Sequence, residues 1–204
     1  MRAILAVLIG KFLRFLVRLV RPGGGSALPG VVANKLDPNL LSNALRALDH
    51  GLVVVSGSAG KSSTTSYLVT LLETHGLRVF TNSSTANIRQ GLVASVLKQS
   101  NWRGQLDCDI AVLELDEGHG AVLARELEVR LAVLTNVLSD QLDRFSDPDD
   151  VIAMLKQIGS AAKAVVLNVD DQNLAQLEFE IPVFGFGVSR GTVNTPKAVY
   201  AVNF

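Results

Sequence analysis

A single cysteine, Cys108, in 204 residues rules out an intramolecular disulfide and any thiol-rich metal cage built by this chain alone. A chain so poor in thiols fits a reducing cytoplasm. Cys108 itself precedes an apolar run and reads as a small buried hydrophobe. The three histidines, His50, His75 and His119, share no spacing that suggests a triad or an imidazole metal site, so each reads as structural or exposed. Excess charge is missing too. The 19 basic and 19 acidic residues cancel, which removes any general reason to expect nucleic-acid binding. There is no internal repeat and no low-complexity tract, and no apolar run reaches the roughly 20 uninterrupted residues of a membrane span. What remains, 48% hydrophobic residues in 21.8 kDa, suffices for one ordinary domain core with some terminal attachment.

The zero net charge hides an asymmetry. Residues 1–21 hold five basic residues (Arg2, Lys11, Arg14, Arg18, Arg21) and no acid, which leaves 14 basic against 19 acidic residues in the remainder. A charged start followed by an apolar run resembles a secretory signal, but Lys11, Arg14 and Arg18 interrupt the run and no small-residue cleavage site follows cleanly. Lys11, Arg14, Arg18 and Arg21 share one face of a helix, with Leu5, Leu8, Phe12, Phe15, Leu16 and Leu19 over the rest. Two readings stand side by side. One is a basic amphipathic helix lying on an anionic membrane surface, which would place a cytoplasmic protein at the inner face of the plasma membrane. The other is a helix docked on the protein's own sheet.

Arg21–Gly30 reads as a connector, because proline and repeated glycine cannot continue the helix. Asp37-Pro38 then starts a leader helix, with Leu40, Leu41, Ala44, Leu45 and Leu48 as its apolar stripe. Strands are predicted at Leu52–Ser56, Arg78–Thr81, Ile110–Leu115, Leu131–Thr135, Val165–Asn168 and Val183–Phe186. One more is predicted in the tail, around Val199–Val202. Helices are predicted at Lys61–Thr74, Ile88–Gln99, Ala121–Glu128, Asp149–Ser160 and Gln172–Leu177. Short apolar runs alternating with helices imply an α/β fold whose mostly parallel sheet is covered by helices on both faces. The division expected is 1–21 as the basic helix, 22–50 as linker and leader helix, and 51–204 as the central domain.

The chemistry concentrates at Val53-Val54-Val55-Ser56-Gly57-Ser58-Ala59-Gly60-Lys61-Ser62-Ser63, a strand, a loop and a helix start. Glycines let backbone N–H groups approach phosphate oxygens, and the helix N-terminus adds a positive dipole end. Lys61 would reach the β- and γ-phosphates and the Ser62 hydroxyl would hold Mg²⁺. Val55 stands where the full phosphate-loop pattern has glycine, so this is a shortened G-x-x-G-K-S-S form. The plainer alternative is a glycine-containing turn between strand and helix.

Several separated segments resemble the Mur ligases, which join an amine to a carboxylate using ATP. Ser56–Ser63 is similar to their T-G-T-N-G-K-T-T loop, with Ala59 in place of asparagine. Leu113-Glu114-Leu115-Asp116-Glu117 falls where the family has a glutamate at a strand end. Thr135–Arg144 resembles T-N-x-x-x-D-H-L-D-R, and Asn168-Val169-Asp170-Asp171 resembles N-x-D-D. Each lies at the C-terminal end of a predicted strand, the edge at which open α/β sheets bind ligands. Gln141 in place of histidine, the Glu114–Glu117 segment, Ala27-Leu28-Pro29-Gly30, Leu36-Asp37-Pro38-Asn39, Thr81-Asn82 and Ala86-Asn87 resemble the MurT branch, the ligase subunits of lipid II isoglutaminyl synthase.

The resemblance implies that ATP is held by Gly57, Ser58, Ala59, Gly60, Lys61, Ser62 and Ser63, with Asn136, Asp140, Asn168 and Asp171 around it. Lys61 and Glu114 would be catalytic, and Ser62 and Glu114 would hold Mg²⁺, a hard cation that selects oxygen donors. Gln141 cannot act as an imidazole ligand. Lys156 falls where many members carry a metal-binding lysine and is read here as a plain surface residue. The implied reaction amidates the D-isoglutamate carboxylate of lipid II through an acyl phosphate, with ammonia from a GatD-like glutamine amidotransferase partner. Family members are about twice as long, so the chain reads as an incomplete central domain without the C-terminal ligase domain. Two alternatives are a folylpolyglutamate synthase-like ligase and a catalytically silent nucleotide-binding remnant.

Overall fold

The computed structural model describes residues 2–20, 27–82, 86–138, 148–187 and 198–200. Its centre is a seven-stranded sheet, built from β1 (Leu52–Ser56), β2 (Val79–Thr81), β3 (Ile110–Glu114), β4 (Val129–Leu134), β5 (Val165–Asn168), β6 (Val183–Phe186) and β7 (Ala198–Tyr200). All neighbours pair in parallel, in the order β2-β3-β1-β4-β5-β6-β7. Parallel neighbours need crossovers, and helices supply them. The first strand lies in the middle, flanked by β3 and β4, and every residue of β1 and β3 is buried. That double-sided burial is why these segments read as continuous apolar runs.

Alternate residues divide the core. Val53, Val55, Ile110, Val112 and Val133 face α4 (Lys61–Thr74), where Leu68 and Leu72 pack on them. Val54, Ala111, Leu113, Ala132 and Leu134 face the opposite way, against α5 (Arg89–Gln99), α6 (Glu117–Glu126) and α7 (Pro148–Ser160). A short α8 (Gln172–Ala175) follows β5. The observed α6 starts four residues ahead of the predicted Ala121 because Asp116 caps it, its side chain accepting from His119 N.

The N-terminal third adds α1 (Arg2–Val20), α2 (Leu28–Leu36) and α3 (Leu40–Arg46). The predicted connector through Gly30 is corrected here, since α2 begins at Leu28 with Pro29 in its first turn. Proline is tolerated there because its missing N–H has no intrahelical acceptor in any case. The docking alternative for the first helix is also corrected. Val7 joins the main core, and α1 rests on α2 and α5 rather than on strands.

Gly30 sets how closely α2 crosses α5: a Cβ there would stand 2.0 Å from the carbonyl oxygen of Gln90 and 3.0 Å from Ala94 N. Backbone cannot yield as a side-chain tip does. Gly30→Ala is therefore expected to destabilise the fold by about 3 kcal/mol, the upper end for overpacking, read as a fall in the urea midpoint. An unchanged midpoint would show that the two helices have room to part.

Candidate nucleotide site

The loop after β1 is held from the side by β4. Ser56 is fully buried, and its hydroxyl donates to Leu115 O at 3.1 Å. Gly57 has φ +138°, and a Cβ on it would lie 2.2 Å from Thr135 Oγ1. Asn136 then staples the loop. Its carbonyl accepts from Ser58 N at 2.9 Å, its side-chain oxygen from Ala59 N at 2.8 Å, and its Nδ2 donates to Ala59 O at 3.1 Å. Thr135 Oγ1 donates to the same Ala59 carbonyl at 2.8 Å, and Leu138 N donates to Ser58 Oγ at 3.0 Å.

Beyond that staple the backbone opens. Gly60 is left-handed at φ +79° and caps α4 without a side-chain hydrogen bond, and nothing lies within 4 Å of the place where a Cβ would sit. The first helical bond is Thr64 N to Gly60 O at 2.9 Å, so the N–H groups of Lys61, Ser62 and Ser63 precede the intrahelical ladder. Ser62 and Ser63 are exposed. Uncapped N–H groups, a positive dipole end and open space above Gly60 fit a phosphate group.

Lys61 completes the cradle through a partner that the sequence reading passed over. Its Nζ donates to Gly57 O, to Ser58 O at 3.3 Å and to Glu117 Oε1 at 3.0 Å. Glu117 is fully buried in the first turn of α6, and its Oε2 has no hydrogen-bond partner. Glu117 stands in the Glu114–Glu117 segment already singled out, and the available signal was an acidic residue in a first helical turn at this sheet edge.

Glu114 is 5% exposed at the end of β3, and alternation with Ile110 and Val112 puts it on the α4 face, the side on which Ser62 begins its helix. Its backbone is pinned by Asn82, which accepts from Glu114 N at 3.0 Å and donates to Glu114 O at 2.9 Å. No group of three or more His, Cys, Asp or Glu is arranged to hold a metal ion among the described residues. Magnesium bound with phosphate asks for less, taking one or two carboxylates and keeping several waters. Ser62 at the helix start, Glu114 at the strand end and the partnerless Oε2 of Glu117 are oxygen donors of the kind such an ion selects.

Asn168 and Asp171 act on the β4 loop. Asn168 Nδ2 donates to Thr135 O at 2.9 Å, and Asp171 accepts from Val137 N at 2.8 Å while its other oxygen caps α8. Asp140 and Gln141 lie outside the described residues. Lys156 is exposed on α7. Cys108 is half-buried, and burial followed by the nearby Asp107 charge raises its thiol pKa, which disfavours a nucleophile. A cavity of about 650 Å³ opens beside α4, lined by Leu68, Leu72, Leu131, Val166 and Phe186, and lies on the sheet face rather than at the loop.

The profile of the Mur ligase middle domain matches residues 55–201. This chain belongs to the Mur ligase family. Among its Mur-type relatives, the lipid II isoglutaminyl synthase (glutamine-hydrolyzing) subunit MurT of Streptococcus pneumoniae (strain ATCC BAA-255 / R6) is 32% identical over 198 residues, which is 94% of this chain and 42% of that protein. The MurT subunit of Staphylococcus aureus (strain COL) is 29% identical over 179 residues, 87% of this chain and 40% of that protein. The MurF ligase of Thermotoga maritima, solved in complex with ADP, superposes with a TM-score of 0.60 at 25% identity, over 77% of this chain and 36% of that one. The chain thus spans about two-fifths of the length of the MurT relatives it matches.

Proposed function

We propose that this Mur ligase chain supplies the nucleotide-binding part of an ATP-dependent amide ligase of cell-wall synthesis. The observation that carries the reading is Lys61, whose ammonium sits among loop carbonyls and a buried carboxylate at an uncapped helix N-terminus. The MurT relatives are named as glutamine-hydrolyzing lipid II isoglutaminyl synthase subunits, and the MurF structure holds ADP. Residues 51–204 are then the central ATP-binding domain, and 1–21 and 22–50 its helical leader.

In this reading the backbone from Gly57 to Ser63 cradles the phosphates and Lys61 neutralises their charge. Ser62 and Glu114 would hold Mg²⁺. Asn136 keeps the loop in shape, with Asn168 and Asp171 behind it. ATP and Mg²⁺ supply an activated phosphoryl group and a counter-charge. A carboxylate oxygen of the D-isoglutamate of lipid II would attack the γ-phosphorus of ATP, breaking its bond to the β,γ-bridging oxygen and releasing ADP. Ammonia from a GatD-like glutaminase partner would then attack the acyl phosphate's carbonyl carbon, and phosphate would leave with a proton released. Charge spreads over the transferring phosphoryl group, so a fixed cation clamp is the main catalytic contribution expected.

Calorimetric titration with ATP tests the metal assignment. Magnesium should tighten binding to the unaltered chain, and Glu114→Gln should remove that gain while leaving affinity in EDTA unchanged. Equal magnesium dependence in both would remove Glu114 from the site. For the reaction, the chain is incubated with its glutaminase partner, ATP, glutamine and lipid II. Amidated lipid II is expected. Turnover of folate and glutamate instead would favour a folylpolyglutamate synthase-like ligase, and binding without any turnover a silent remnant.

A further inference from the structure

We propose that the outward face of α1 is a docking surface for an anionic lipid bilayer, on which the helix lies flat. The inference does not depend on the ligase reading.

The rotation of α1 is fixed by its inner side. Ala6 and Val7 are fully buried. At Gly10 an added Cβ would meet Leu97 at 2.6 Å and Ala33 at 3.2 Å, so the helix approaches its neighbours closely there. Lys11 turns inward as well, its Nζ donating to Leu97 O at 2.8 Å and Ser100 O at 2.7 Å. Those are carbonyls at the C-terminal end of α5, where a cation complements the dipole. The basic stripe read from spacing is thereby split, with Lys11 spent on the fold.

With that rotation set, Leu5, Leu8, Phe12, Phe15, Leu16 and Leu19 point outward, each 40–65% exposed. They fall within one arc opposite the docked residues, since helical positions advance by about 100°. A contiguous apolar strip of this kind marks a surface that meets something other than water. Spanning is excluded for α1, because no described helix is long and apolar enough to cross a membrane.

Charge selects the occupant. Arg14 and Arg18 follow Lys11 along the same side of α1 toward its C-terminal end, and the chain has no acidic residue before Asp37. Neither arginine has an ion pair with an acid among the described residues. Burial, then repulsion from Arg18, lowers the Arg14 pKa, which is what an unshared cation beside another cation experiences. An outward apolar face on a helix whose charged residues are all cationic complements acyl chains below anionic headgroups.

The test uses the whole chain, without nucleotide, and sedimentation with vesicles of phosphatidylcholine alone or mixed with phosphatidylglycerol. Binding to the mixed vesicles is expected, weakening with salt. Arg14→Gln and Arg18→Gln should each reduce partitioning about fivefold. Phe12→Glu combined with Phe15→Glu should abolish it while leaving helix content and melting temperature unchanged, because both side chains are exposed. Undiminished sedimentation of that double variant would overturn the proposal, as would equal binding to both vesicle types or to neither. A dimer that the same double variant turns into monomer, with no vesicle binding, would reassign the face to a second copy of the chain.

Discussion

Lys61→Met is expected to lose nucleotide binding and stability together, and a second substitution should separate the two losses. In the folded chain the Lys61 ammonium is the hydrogen-bond partner of Glu117, whose side chain is fully buried and whose second oxygen has none. Removing the cation leaves an uncompensated carboxylate in the interior. Breaking a buried pair in this one-sided way costs about 3–5 kcal/mol. The Lys61 side chain keeps 14% of its surface in water, so the lower end applies. Adding Glu117→Gln removes the orphan charge at nearly constant volume and should restore most of the urea midpoint. It should not restore ATP affinity, because the ammonium that would meet the phosphates is still missing; a donor of that kind is worth about 3 kcal/mol, on the order of 100-fold. Wild-type ATP affinity in Lys61→Met would remove the loop from any nucleotide role. A double variant as unstable as the single one would show that the Glu117 charge is satisfied in some other way.

Gly57→Ala is expected to be the most damaging change in the loop, and Gly60→Ala, three residues on, a mild one. At Gly57 the two penalties coincide. The backbone sits at φ +138°, which side chains rarely adopt, and the new methyl would lie 2.2 Å from Thr135 Oγ1 and 3.0 Å from the backbone of Asn136. Strain and overpacking each cost about 1–3 kcal/mol. Relief would require moving the Asn136 staple, and with it Ala59. At Gly60 only the φ of +79° is penalised, since the added methyl would meet open space; about 1 kcal/mol is expected. Its effect should fall instead on ATP affinity, because that open space is where phosphate would come. Denaturation and ATP titration of both variants check the contrast. Equal stability losses would mean that Thr135 and Asn136 yield easily and do not shape the loop.

Much of this architecture was legible without coordinates, for local reasons. The strands at 52–56, 165–168 and 183–186 appear where apolar runs predicted them: the first is buried on both faces, and the other two bury one face fully and the other in part. The helix at Lys61–Thr74 follows directly from its loop. The misses were equally local. Leu28–Leu36 was hidden by Pro29 and the glycines before it, although proline in a first turn breaks nothing. The start at Glu117 was missed because its cap is an aspartate in a segment being read for metal chemistry.

Family membership and the strand, glycine-containing loop and helix start at 52–74 were therefore determined by the sequence itself, through short stretches whose backbone and side chains act within a few residues. Three further facts were decided only by tertiary structure: that Lys61 pairs with Glu117 rather than Glu114, that Asn136 staples Ala59, and that Lys11 faces inward while the apolar side of α1 faces out. Each joins residues 56 to 86 positions apart. The first two depend on β1 lying between β3 and β4, the third on α1 settling against the end of α5. Periodicity reports which face of an element is apolar, but which element meets that face is set by strand order and helix docking, which no local pattern encodes.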